Sequence, residues 1–298
     1  MKSIFYPVKL FEIKRQKPPR TLVLGGTGKT GRRVVQSLWD GEHSVRIGSR
    51  QADPAFDWQD SAGWDKCLDG VTQVYVNFAP DLAMPMARPA ITAFTEMAHR
   101  KGVRKLVLLS GRGEEEALAC EQIVRFSGMD WTIVRSAWFN QNFSEGAFTG
   151  MVQDGQIALP VGGTCEPFVD VHDVADVVTA ALSEEGHEGK VYETTGPRLL
   201  SFEQIVEELS GALGRTISFA DIPHEAFLEG IQGMGMPPEM VWLLEYLFAT
   251  VMDGRNEQIG YGVQEALGRP PRDFRDYARL TALTGVWDAA QAFNLVSV

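Results

Sequence analysis

The sequence predicts an α/β fold, a doubly wound parallel sheet with a smaller, mainly helical C-terminal lobe. Three observations predict it. A short apolar run is cut off by a glycine cluster that opens an amphipathic segment and then a second apolar run. The same alternation of short apolar runs with helical periods continues to Thr194, and after Pro197 the pattern turns helical. With 298 residues the chain has room for one large α/β domain and a smaller lobe.

Thr21 to Leu24 follows the turn-breaking Pro18 and Pro19 and reads as a buried strand. Arg32 to Trp39 puts Val34, Val35, Leu38 and Trp39 on one helical face, which Asp40 and Gly41 terminate. Val45 to Gly48 is the next strand, completing a βαβ unit and so a parallel sheet. Strand 74–78, helix 87–101, strand 105–109, helix 114–127 and strand 131–134 continue the winding. Helix 174–182 and strand 190–194 carry the nucleotide-binding domain to residue 197, giving it the span 21–197. In the lobe, 198–298, Ser201 and Gln204 form a capping box, Pro237-Pro238 opens an apolar helix through Phe248, and Pro270-Pro271 precedes a segment from Arg272 to Leu280. Residues 1–20 form a basic arm in which Lys2, Lys9, Lys14, Arg15, Lys17 and Arg20 outnumber Glu12.

A net charge of −11 argues against nucleic acid, whose phosphates demand a basic surface, and favours a small-molecule partner. A homodimer is left open. No uncharged run has the roughly 18 residues of a membrane span, and the N-terminal apolar stretch is broken by Pro7 and Lys9 as a signal peptide would not be. Cys67, Cys120 and Cys165 are odd in number and widely spaced, which suits a reducing compartment, the cytoplasm. No metal is expected.

The sharpest motif is Gly25-Gly26-Thr27-Gly28-Lys29-Thr30-Gly31, between a strand and a helix. Glycines 25, 28 and 31 keep a GxxGxxG spacing, so a diphosphate can approach the backbone at a helix N-terminus, where free N–H groups and the dipole favour negative charge. The Gly28-Lys29-Thr30 string imitates a P-loop, but the glycine that motif needs five positions earlier is Val23. After the second strand stand Ser49 and Arg50, where an NAD-binding domain would place a carboxylate for the ribose 2′-hydroxyl. A guanidinium there suits a 2′-phosphate, so the expected cofactor is NADP(H) on a Rossmann-type domain.

These residues resemble the NmrA-like type of atypical short-chain dehydrogenase/reductase, which includes NAD(P)H quinone oxidoreductases and agroclavine dehydrogenase-like (ergot alkaloid) reductases. The likeness runs over 23–33, Phe56-Asp57-Trp58, 102–110, 137–144, 167–171 and 268–276. It implies that Asp57 and Trp58 lie at the adenine, Phe78 and Ala79 along the ribose, and Ser110 near the nicotinamide. Trp138, Phe139, Asn140 and Asn142 follow a strand and so look like a substrate-pocket wall at the carboxyl edge of the sheet. Asp170, His172 and Asp173 could suggest a metal or a dyad, but an N-cap at Asp173 explains the cluster more simply. Asp276 with Arg272, Arg275 and Arg279 is read as surface ion pairs.

The chain departs from the Tyr-x-x-x-Lys pair of many short-chain dehydrogenases: no Tyr or Lys stands between Ser110 and Trp131. Ser110 and Asn140 are the remaining catalytic candidates. Glu116 or Glu121 could act as an acid, although an exposed helical face accounts for the glutamate run, and Cys120 has no evident cation to activate it. Hydride transfer to a quinone, an imine or iminium, or an enone needs the least help, so an NADPH-dependent oxidoreductase is expected. The alternative is an NAD(P)-binding sensor without turnover. A sugar-nucleotide epimerase or dehydratase ranks last, because it must take a hydroxyl proton.

Overall fold

The computed structural model describes residues 20–288, and the basic arm up to residue 19 lies outside them. The chain runs β1 (Arg20–Leu24), α1 (Gly31–Asp40), β2 (Ser44–Gly48), α2 (Trp64–Cys67), β3 (Gln73–Val76), α3 (Ala87–Arg100), β4 (Lys105–Gly111), α4 (Glu115–Arg125) and β5 (Asp130–Ser136). It continues through α5 (Asn142–Glu145), α6 (Thr149–Asp154), β6 (Gln156–Leu159), β7 (Cys165–Glu166), α7 (Val171–Ser183) and β8 (Lys190–Thr194). The remainder holds β9 (Leu200–Ser201), α8 (Phe202–Leu213), β10 (Ser218–Asp221), α9 (His224–Gly233), α10 (Pro238–Tyr246), α11 (Gly262–Leu267) and α12 (Phe274–Ala282).

Six strands form one parallel sheet in the order β2-β1-β3-β4-β5-β8. Chain direction across the sheet reverses between β1 and β3, and a crevice opens outside the carboxyl ends of strands at such a point. Alternation along the strands feeds two cores. Leu22, Leu24, Val74, Val76, Leu106 and Leu108 face α3 and α4, while Val23, Tyr75, Val107 and Val134 face α1 and α7. Helices on both faces bear out the doubly wound reading.

The lobe has its own aromatic core, and it draws on chain from both sides of residue 197. Phe143, Phe148, Ile157 and Phe168 pack with Phe202, Phe248, Phe274 and Trp287. Parallel pairing of β6 with β10 and antiparallel pairing of β7 with β9 bind the two stretches together. The capping box at Ser201 and Gln204 is present, and a π-helical turn, Leu247–Val251, extends α10.

Two expectations are corrected. Helix α7 begins at Val171, and its N-cap is Asp170, whose side chain accepts from His172 N. Asp173 is instead fully buried, accepting from Arg272 N at 2.6 Å and pairing with the Arg269 and Arg272 guanidinia. Arg272 therefore turns inward to Asp173 and Asp176, and Arg275 reaches Glu208, so the pairs expected at Asp276 form elsewhere. No helix among the described residues is long and apolar enough to cross a membrane.

Candidate functional site

The glycine loop joins β1 to α1 with Gly25 at φ +63°, a left-handed conformation that glycine adopts without strain. A Cβ on Gly31 would fall 2.1 Å from the Gly25 carbonyl oxygen, so the first turn of α1 can close against the loop only with glycine there. Thr27 and Gly28 are exposed. Among the described residues, the N–H groups of Thr27, Lys29 and Thr30 have no backbone acceptor. This is a cradle of amide donors at a helix N-terminus, and it fits a dinucleotide diphosphate.

Beneath the loop, Tyr75 Oη donates to Thr30 Oγ1 at 2.9 Å, and Asn77 Nδ2 approaches the same hydroxyl at 3.4 Å. Lys29 Nζ crosses to Asn142 Oδ1 at 2.8 Å, so the loop is tied to the first helix of the lobe. Burial lowers the Lys29 ammonium below its ordinary pKa, with Glu145 opposing that shift.

From the loop a cleft of about 480 Å³ runs along the carboxyl ends of β3, β4 and β5. Lys29 and Thr30 of the loop and Leu244 and Leu247 of the C-terminal part of the chain are among its lining residues, and its volume is within the size range of small-molecule sites. Phe78, Ala79, Ser110, Trp138, Phe139 and Asn142 all lie on its wall. Trp138 stacks on Phe148 with ring centroids 6.1 Å apart, and Phe248 packs against both, 5.3 Å from Trp138 and 6.3 Å from Phe148. Thus one ring both packs the lobe and walls the cleft.

Ser110 is buried at the end of β4. Its hydroxyl donates to Glu121 Oε1 at 2.7 Å. Glu121 is fully buried and gripped by Arg135, so the exposed helical face expected for it is corrected. Asn140 lies off the cleft wall, fully buried, with neither side-chain polar atom partnered among the described residues.

The far end of the crevice is less enclosed. Arg50 is exposed on the turn after β2, and Ser49 O accepts from Ala52 N and Phe56 N to close that turn. Trp58 packs between Phe78 and Phe94 and donates Nε1–H to Asn77 O at 3.0 Å, while Asp57 Oδ1 accepts from Gln59 N. Neither Asp57 nor Trp58 lines the cleft. Among the described residues no group of three or more His, Cys, Asp or Glu side chains could hold a metal ion.

Sequence reading missed Asn77, Asp81, Arg112 and Glu114 on this wall. Glu114 precedes α4 in an extended conformation, so it sits apart from the exposed Glu115 and Glu116 that follow. Arg112 is buried and points away, donating to the carbonyls of Asn256 (3.3 Å) and Gln258 (3.0 Å). Cys120 is buried and its thiol is raised to about 12 by burial, so it offers no ready thiolate.

Two family models match, one described as NAD(P)H-binding over residues 25–185 and one as NmrA-like over residues 116–277. The chain is 30% identical to Prestalk A differentiation protein A of Dictyostelium discoideum, across 87% of this chain and 91% of that one. It is also 30% identical to the NAD(P)H azoreductase of Xenophilus azovorans, across 88% and 97%. An NADPH-dependent quinone oxidoreductase of Escherichia coli, solved with NADPH, has the same fold at TM-score 0.74 and 19% identity, with 87% and 98% covered.

Proposed function

The chain belongs to the NmrA-like family and carries an NAD(P)H-binding domain, and on that premise we propose that it is an oxidoreductase reducing an electron-poor small molecule with NADPH. The acceptor class is a quinone, an imine or iminium, or an enone. The observation that carries the reading is the cleft itself. It is lined both by Lys29 and Thr30 of the glycine cradle and by Trp138, Phe139 and Asn142, so a dinucleotide held by the loop amides can bring its redox end to the wall that these last three form.

When bound, the cofactor supplies a hydride from its dihydronicotinamide ring. The chain contributes binding, orientation and exclusion of water. The loop amides hold the diphosphate, and Arg50, exposed and without an ion pair among the described residues, is the group we assign to the 2′-phosphate. Trp138 and Phe148 offer flat apolar surface to a conjugated acceptor. Asn142, already tied to Lys29, offers its amide N–H to the acceptor. All three cysteines are free thiols, which supports a cytoplasmic setting.

The test is NADPH consumption by the full chain with a panel of quinones, iminium compounds and enones. Turnover on at least one class is expected. Tight NADPH binding with no consumption on any member would overturn the oxidoreductase reading in favour of a dinucleotide sensor.

A further inference from the structure

Two carboxyls in the cleft have no part in hydride transfer as set out above. Asp81 follows β3, where its Oδ1 accepts from Ala83 N at 2.8 Å. Glu114 stands just before α4 and folds back over the end of β4, so closely that a Cβ on Gly111 would fall 2.0 Å from its Oε1. Both line the cleft, and the two carboxyls lie within hydrogen-bonding reach of each other. Glu114 is only 6% exposed, and among the described residues no N–H or O–H reaches its Oε2.

Such a pair cannot carry two negative charges cheaply, because Glu114 is withdrawn from water, Asp81 is half-buried, and each charge repels the other. A proton between them gives a partner to the buried Glu114 Oε2, which no other donor serves. The charges around the pair do not relieve it. Arg112 is directed to Asn256, Gln258 and Glu193, Arg255 is held by Asp253 and Gly113 O, and Lys29 is bonded to Asn142 across the cleft. Glu115 and Tyr246 also face this corner, and neither brings positive charge. Burial, reinforced by Asp81, holds the Glu114 carboxyl well above the usual carboxylate range, and burial raises Asp81 as well.

We propose that the Glu114–Asp81 pair keeps one shared proton and delivers it to the oxygen of an enone reduced in the cleft, in the place a tyrosine fills in other short-chain dehydrogenases. The inference rests on the oxidoreductase reading. The acceptor's β-carbon gains a C–H bond from the hydride and two electrons, and the reduced nicotinamide coenzyme is oxidised by the same two electrons. The O–H bond at Glu114 breaks as an O–H bond forms on the acceptor oxygen, giving an enol that tautomerises to the ketone. The pair, left doubly charged, recovers its proton from water. In sum, one enone, one reduced coenzyme and one proton give one saturated ketone and one oxidised coenzyme. An iminium acceptor already carries its proton or alkyl group and draws nothing from the pair.

The experiment compares the full-length protein with Glu114→Gln and Asp81→Asn on an enone and on an N-alkyl iminium, with an infrared titration of the coenzyme-free protein. Glu114→Gln is expected to lose kcat on the enone by about 100-fold more than on the iminium. Asp81→Asn removes the neighbouring charge, so the alkaline fall of the enone profile moves to lower pH. In the coenzyme-free protein carrying Glu166→Gln, which removes the other raised carboxyl, the protonated-carboxyl C=O band at neutral pH disappears when Glu114→Gln is added. Equal losses on both acceptors, or a band unchanged by that substitution, would overturn the proposal alone. Wild-type protein inert toward every acceptor overturns the oxidoreductase reading, and this one with it.

Discussion

Ser110 Oγ gives its proton to Glu121 Oε1 at 2.7 Å, and Arg135 holds the same carboxylate through Nε at 2.9 Å and Nη2 at 2.6 Å. The hydroxyl at the end of β4 therefore faces the cleft with a lone pair and the interior with its proton. Ser110→Ala is expected to lower kcat by less than about tenfold, since no proton donor is lost. It should cost about 1.5 to 3 kcal/mol of stability, the range for a hydrogen bond to a charged group. Steady-state rates alongside urea unfolding check both halves, and a loss of activity far beyond tenfold would make the serine a participant.

On the proposed reading, Arg50 decides between the two dinucleotides. Replacing it with Ala should weaken NADPH binding by about 10- to 100-fold, corresponding to a charge-assisted contact of roughly 1.5 to 3 kcal/mol, and leave NADH affinity unchanged. Calorimetric titration of wild type and variant with each dinucleotide measures it. Parallel losses for both would remove Arg50 from the 2′-phosphate.

Gly31 is the loop glycine with the least room. Gly31→Ala sets a methyl 2.1 Å from the Gly25 carbonyl oxygen, so the loop must open or the helix must shift. A destabilisation of about 1 to 3 kcal/mol is expected, with dinucleotide affinity reduced at least tenfold. Thermal unfolding with and without NADPH tests it, because a variant that folds should show a smaller ligand-induced rise in Tm than wild type.

Glu166 provides a pH signature. It is buried next to Trp138, from whose backbone N–H its Oε1 accepts at 3.4 Å, and burial raises its carboxyl to about 7. Between the ordinary carboxylate range and pH 7, the folded protein keeps a proton that the unfolded chain has released. Stability from this group therefore falls as pH rises through that window and stays low above it. Glu166→Gln should flatten the slope and, above pH 7, stabilise the protein by roughly 1 to 3 kcal/mol. Denaturant melts at pH 5 and pH 8 provide the measurement, and an unchanged difference between those pH values would reject the assignment.

The sheet was legible because its signals are local. Short apolar runs and the glycine cluster are contiguous in sequence, and the strands fall where those runs lie, with small shifts such as β3 ending at Val76 and leaving Phe78 free to face the cleft. Trp138 and Asn142 were legible for the same reason, as residues just beyond a strand. Glu121 was not. On α4 it shares the buried stripe Ala117, Cys120, Glu121 and Val124, a helical period hidden by the exposed glutamates before it. Its partner Arg135 comes from β5, and no local pattern announces that pairing. Asp81 and Glu114 meet only because adjacent strands β3 and β4 end side by side, and Asp173 is buried only because Arg269 and Arg272 return from the end of the chain. Charge-bearing residues were misread wherever their partners lay on another element.

Because β6 and β10 hydrogen-bond across residue 197, the lobe is not a cassette that recombination could lift out at a single cut. A break there would leave one piece with a bare strand edge and the other without half its aromatic filling. Exchange of acceptor preference among relatives is then confined to point changes on the cleft wall, or to trading both interleaved segments at once.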